Sequence, residues 1–169
     1  MTIANFHQDV NDPENIEAEE LVYQYLINQA DIEGVTDWRD RHLAWDFTFS
    51  RGGKVITLDV KRDRNIGRTG NFPFEMCNLP VNGERVLTWG MNPELDYLAV
   101  VDASLTLAHI AHLPSLRQFV FSKFSPAWPK FGAMNRGYIT IGIAVPMGEM
   151  RQANILMWDV VLPSREEAA

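Results

Sequence analysis

Between residues 45 and 63 apolar and polar side chains alternate with a period of two. Trp45, Phe47 and Phe49 interleave with Asp46, Thr48 and Ser50; beyond Gly52-Gly53, Ile56, Leu58 and Val60 interleave with Thr57, Asp59 and Lys61. Such alternation sends successive side chains to opposite faces of a strand, and a Gly-Gly turn between two such runs predicts a β-hairpin. With Arg51 to Lys54 as a four-residue loop, Ser50 pairs with Val55, Thr48 faces Thr57 and Asp46 faces Asp59. On the other side Phe49 meets Ile56, Phe47 meets Leu58 and Trp45 meets Val60. One face is then wholly apolar and the other wholly polar. A slip of one residue would mix the two, so the pattern itself selects the register.

The rest of the chain supplies less regular signals. Asp12 and Pro13 read as the cap and first position of a helix. Val22, Tyr23, Leu26 and Ala30 then follow at helical spacing, and Glu14, Glu17, Glu19 and Glu20 crowd its first half, where the macrodipole favours anions. Residues 31 to 44 read as irregular, GRTGN as a loop, and FPFEM as a short third strand with Phe72, Phe74 and Met76 on one side and Glu75 on the other. ELDYLAVVDA and TLAHIAHL read as strands, the second leading into a helix over about 114–123. FSPAWPKFGAMNRG reads as a loop, YITIGIAVP as a strand, and 151–162 as strand or helix. The outline is a single α/β domain over 1–169 with a central mixed sheet flanked by helices, residues 1–12 and 164–169 being flexible ends.

Composition narrows the setting. A chain of 169 residues that is 46% hydrophobic suits one compact core. One cysteine, Cys77, excludes an internal disulfide and suits a reducing compartment. The N-terminal stretch has no apolar signal region and no run is long enough to span a membrane, so the expected location is cytoplasmic. The net charge of −7 argues at first against nucleic acid, but residues 51–68 hold six basic and two acidic side chains, +4 against −11 for the remainder. Screening acts over about 8 Å at physiological salt, so a local basic patch can meet phosphate on an acidic protein.

The hairpin pairing carries the chemistry. Directly opposed residues have Cβ atoms roughly 4.5–5.5 Å apart, where Asp46 and Asp59 would repel unless a divalent cation lay between them. Two carboxylates plus waters and a substrate phosphate make a site that magnesium accepts. Lys61, on the same face, is placed to hold or polarise a water. Glu75 joins this polar face if its strand continues the sheet. Glu19 lies at the edge of the helix's buried stripe, with Glu20 as the competing choice.

At these residues the chain resembles the PD-(D/E)XK nuclease superfamily, whose core joins an acidic helix to a hairpin bearing Asp and then an acidic-x-Lys triplet. Asp46 matches the first aspartate and Asp59-Val60-Lys61 the triplet, with Trp45 where some members have proline. DVKRDRNIGRTGNFPFE resembles more narrowly a group of phage-type nucleases classed with Holliday-junction resolvases, through Asp59, Lys61, Asp63, Thr69, Gly70, Asn71 and Glu75. The resemblance implies a restriction-endonuclease-like core and a DNA endonuclease dependent on Mg2+, with Mn2+ as substitute. It gives Asp46, Asp59 and Glu19 (or Glu20) as metal ligands, and Lys61 and Glu75 as further catalytic residues. Arg62, Arg64 and Arg68 would neutralise backbone phosphates, with Thr69 and Asn71 in a loop brought close to one. It also implies a homodimer, because a four-way junction presents two symmetric strands, and a host cytoplasm if the chain is phage-encoded. The alternative is a non-catalytic DNA-binding or assembly module on a nuclease-like fold.

Other residues read as structural. His109 and His112, three apart on a strand, point to opposite faces. Cys77 reads as a packed thiol. Phe124, Trp128 and Phe131 suit either packing or stacking on unpaired bases.

Overall fold

The computed structural model describes residues 13–41, 45–80, 86–135, 138–155, 157–164 and 166. The Asp12 cap and both expected flexible ends lie wholly or largely outside these residues. The chain opens with helix α1 (Pro13–Ile27), followed by strand β1 (Glu33–Asp37) and the hairpin β2 (Phe47–Arg51) and β3 (Lys54–Arg62). A helical turn, α2 (Ile66–Thr69), leads to β4 (Asn71–Pro80) and β5 (Val86–Leu87). Strands β6 (Tyr97–Val101) and β7 (Leu107–His112) precede α3 (Leu113–Lys123), and β8 (Lys130–Asn135), β9 (Tyr138–Pro146), α4 (Met147–Gln152) and β10 (Met157–Val161) complete the order. Among the described residues no helix is long and apolar enough to cross a membrane.

The hairpin register matches the alternation. Phe47 pairs with Leu58, Thr48 with Thr57, Phe49 with Ile56 and Ser50 with Val55. The loop is tighter than the expected four residues, because Arg51 also pairs with Lys54. Gly52 and Gly53 alone turn the chain, at φ 58° and 76°, a left-handed pair that glycine adopts without steric cost.

Two sheets form among the described residues. The first runs β1-β2-β3-β6-β7-β10 and the second β5-β4-β9-β8. β3 and β6 are parallel, whereas the other paired strands of the first sheet are antiparallel, so this sheet is mixed. Its two faces belong to different cores. On one, Phe47, Leu58, Val60, Ala99 and Ile110 pack against Ala18, Leu21, Val22 and Leu26 of α1. On the other, Leu98, Val100 and Ala111 pack with Phe72 and Phe74 of β4, with Leu116 and Phe119 of α3, and with Met150 of α4. The expected mixed α/β class, a central mixed sheet flanked by helices, is the class observed.

Several local expectations are corrected. Residues 33–37 are not irregular. They form an edge strand on β2, held by backbone pairing and largely exposed, so no apolar alternation announces it. GRTGN contains the turn α2, closed by Gly70 at φ 65° donating its N–H to Ile66. Residues 130–135 form β8 because β9 supplies their backbone partners. FPFEM belongs to a ten-residue strand, and that strand does not continue the hairpin sheet. A bulge between Glu75 and Cys77 shifts its phase, so Phe72, Phe74 and then Cys77 are buried while Met76 is only partly so. The segment 151–162 holds the last two residues of α4 and then the strand β10.

Two glycines flank the β4 bulge. A Cβ at Gly90 would lie 2.0 Å from the Glu75 carbonyl oxygen, and one at Gly142 would lie 2.6 Å from the Phe74 oxygen. At Gly148 a Cβ meets nothing within 4 Å. Gly90→Ala is therefore expected to destabilise the protein by on the order of 2 kcal/mol or more. Gly148→Ala, in α4, should be neutral or stabilising by up to about 1 kcal/mol. Urea unfolding of both variants checks this; equal midpoints would show that the β4 contact is not tight.

Candidate active site

β3 runs between β2 and β6, with Asp59 beside Leu98 and Lys61 beside Val100. Leu58 and Val60 belong to the α1 core, so the pleat turns Asp59 and Lys61 to the opposite face. Asp59 is buried, at 5% exposure. Lys61 lies at the more open end of the strand and brings Nζ to 3.2 Å from each Asp59 carboxylate oxygen.

Asp46 stands where the hairpin ladder ends. Its N–H donates to Leu58 O at 3.0 Å and its carbonyl accepts the Trp38 N–H at 2.8 Å. Its carboxylate Oδ2 accepts the Val60 N–H at 2.7 Å, so a side chain takes the donor that the interrupted ladder leaves open. The bend at Asp46 also removes Trp45 from its expected place opposite Val60. Trp45 packs against the other core instead, with its indole N–H buried and unpartnered among the described residues.

Charge is crowded here. Burial pushes the Asp59 carboxyl well above the ordinary carboxylate range; Lys61 pulls it down, and the Asp46 charge and a hydrogen bond between the two carboxyls raise it further. Burial alone would lower Lys61, but Asp59, Asp46 and Glu19 outweigh it and hold the ammonium protonated. That environment suits Lys61 to donate hydrogen bonds and to hold a positive charge.

Between the two helix candidates, Glu19 faces this cluster. It is buried at 9% exposure. Burial, then Asp46, raise its pKa from 4.5 to about 7 against the opposing charges of Lys61 and Arg39. Glu20 turns to Arg39 at 3.1 Å and accepts from Gln24 at 3.0 Å. Glu75 lies on β4 of the second sheet, so the condition for its joining the polar face, that its strand continue the hairpin sheet, is not met.

The basic residues divide. Arg62 has a side chain only 12% exposed and is paired with Glu14, and it also donates to Ala103 O at 2.9 Å. Arg64, 70% exposed, shares Glu14 at 2.6 Å, and the exposed Arg68 donates to Asn65 at 2.9 Å. Thr69 donates its hydroxyl to Asn65 O and accepts the Asn71 N–H, so both residues shape the exit of α2. Asp63 caps the same turn, accepting from the N–H groups of Asn65 and Ile66.

Sequence reading missed Asn15. Its Nδ2 donates to Glu19 Oε1 at 2.6 Å and its Oδ1 accepts the Arg62 N–H at 3.2 Å. The available signal was its position four residues before Glu19, one helical turn away. The residues set aside are structural as expected: His109 bonds Asp159 at 2.7 Å and His112 bonds Ser115 at 2.8 Å, and Cys77 is a buried free thiol. Trp128 is a core residue, stacked on Phe119 and donating to Glu149.

Among the described residues no three His, Cys, Asp or Glu side chains gather closely enough to cage a metal unaided. Asp46 and Asp59 form a pair, and Glu19 acts on Asp46 and Lys61 through charge. Three acids stand against one close ammonium, and the upward shifts of Asp59 and Glu19 show that added positive charge would be favourable there. That donor chemistry fits a hard divalent cation that retains waters and shares a phosphate.

No family profile and no curated protein sequence matches the chain. Among solved structures it is similar to a bacterial homing endonuclease, I-Ssp6803I, with a TM-score of 0.48 and 16% identity over 62% of this chain and 70% of that one.

A stability test follows from Glu19. Its folded pKa of about 7 lies above the ordinary 4.5, so the folded state holds the proton more tightly than the unfolded chain. In EDTA, wild-type stability should therefore fall as pH rises through that window. Glu19→Gln escapes this loss and should exceed wild type by on the order of 2 kcal/mol at pH 8, and by less at pH 5. Denaturant unfolding at both values measures the difference; a gap independent of pH would contradict the charge cost.

Proposed function

We propose that this chain is a divalent-metal-dependent DNA endonuclease of the PD-(D/E)XK type, hydrolysing phosphodiester bonds. The observation that carries the reading is the Asp46–Asp59 pair at the end of the β2–β3 ladder, with Lys61 on Asp59 and Glu19 linked to Asp46 and Lys61 through charge, the residue types that the superfamily resemblance asks for. Asp46 and Asp59 would hold Mg2+ (Mn2+ as substitute), and Glu19 would complete its shell or orient a water. Bound there, the cation supplies Lewis acidity, activation of water and a template for the phosphate. Lys61, kept charged, donates to the attacking water or to a phosphate oxygen, where negative charge grows in the transition state. Arg64 and Arg68 face outward and suit contact with backbone phosphates, which sets affinity without reading sequence. Arg62 suits the internal role of fixing the strand end.

Branched DNA, including four-way junctions, is the substrate class favoured by the resemblance of residues 59–75 to junction resolvases. A homodimer belongs to the same proposal. A non-catalytic DNA-binding or assembly module on a nuclease-like fold is the second reading; the net charge of −7 and the use of Glu14 to neutralise Arg62 and Arg64 favour its assembly form, because both weaken attraction for phosphate.

Plasmid, linear, single-stranded and four-way-junction DNA should be incubated with wild type and Asp59→Ala in magnesium, manganese or EDTA. Metal-dependent strand cleavage by wild type alone is expected, with DNA binding largely kept in the variant. Equal activity in the two proteins would end the nuclease reading, and binding without cleavage on every substrate would favour the second. Lys61→Ala should lower cleavage about 100-fold or more while leaving metal affinity little changed. Loss of metal affinity in that variant, measured by calorimetry, would show its role to be different.

A further inference from the structure

Helix α1 meets the end of β3 through its first turn. Glu14 takes the Arg62 guanidinium, and the next residue, Asn15, bonds two groups that differ in kind. Its carbonyl oxygen accepts the main-chain N–H of Arg62 at 3.2 Å, and its amide nitrogen donates to Glu19 Oε1 at 2.6 Å. Arg62 directly follows Lys61, so one side-chain amide joins the strand that carries the ammonium to the helix carboxylate that faces it. An amide suits this post because it offers an acceptor on one atom and a donor on the other. A hydrogen bond to an ionised carboxylate is also stronger than a neutral one.

We infer that Asn15 is a positioning residue for the metal-dependent site, fixing one oxygen of Glu19 and thereby directing the other toward the Asp46–Asp59 pair. The inference rests on the nuclease reading, since it gives Glu19 a purpose only if a cation is bound there. It also separates Asn15 from the ordinary docking of α1, which Leu21, Val22 and Leu26 accomplish through burial in the α1 core.

The test is a double-mutant cycle on Mn2+ affinity, measured by calorimetry on the full chain. The four proteins are wild type, Asn15→Ala, Glu19→Gln and the double variant, with thermal unfolding as the check on folding. Asn15→Ala should weaken Mn2+ binding about tenfold, the low end for a residue that orients a ligand. In the Glu19→Gln background the same change should alter affinity less than about twofold. An equal loss in both backgrounds, or none in wild type, would overturn the positioning role. Failure of wild type to bind Mn2+ at all would overturn the metal reading and this inference with it, a distinct result. A second measurement needs no variant: on titration of wild type with Mg2+, the Asn15 side-chain amide resonances should shift, because the carboxylate they bond changes its charge environment. Fixed Asn15 resonances in a protein whose other signals show Mg2+ binding would count against the role.

Discussion

Two aspartates at the open end of a β-ladder set the terms for the structure around them. Asp59 is largely shut off from solvent, since β6 flanks its strand and Leu98 beside it belongs to a packed core. Asp46 is fixed from both directions, by Trp38 and Leu58 through its main chain and by the Val60 N–H through its carboxylate. Lys61 offsets one of the two charges at 3.2 Å. A buried charge that lacks full compensation is costly, and proteins keep such places chiefly where the arrangement serves a function.

The cores on either side are what make that cost bearable. The pleat of β3 puts Asp59 and Lys61 on one face, and burial of Phe47, Leu58 and Val60 under α1 fixes the hairpin register that sets Asp46 at the end of the same ladder. The same burial places Glu19, because its neighbours Ala18, Leu21 and Val22 can face the sheet in only one rotation of the helix. The second sheet and α3 close the opposite side. Beyond the cluster, Arg62 and Asp63 spend their polar groups inside the protein and Arg64 and Arg68 turn outward. A run of cations that looks uniform in one dimension is thus divided by the fold into anchors and surface charges.

What could be read from the amino acids was whatever the side chains themselves decide. The β2–β3 register followed from alternation, and α1, β6, β7, α3 and β9 from apolar runs with their boundaries. Strands β1 and β8 escaped because backbone pairing with a neighbour holds them, and exposed or glycine-containing edges leave no periodic trace. The sheet to which Glu75 belongs was open for a related reason, since nothing local tells a chain whether its third strand joins the existing sheet or begins another. Glu19 is separated from Glu20 only by a long-range contact, because Arg39, 19 residues further along the chain, claims Glu20. Asn15 needed its Arg62 contact, across the gap between helix and strand, before its spacing from Glu19 carried weight.

The central claim is that the Asp46–Asp59 pair is a cation site, and anomalous diffraction from a crystal soaked in Mn2+ tests it directly. A strong anomalous peak between the two carboxylates, with both turned toward it and Lys61 Nζ displaced from Asp59, is the expected result. Carboxylates still bonded to each other and to Lys61, with no peak between them in a crystal that binds Mn2+ elsewhere, would contradict it.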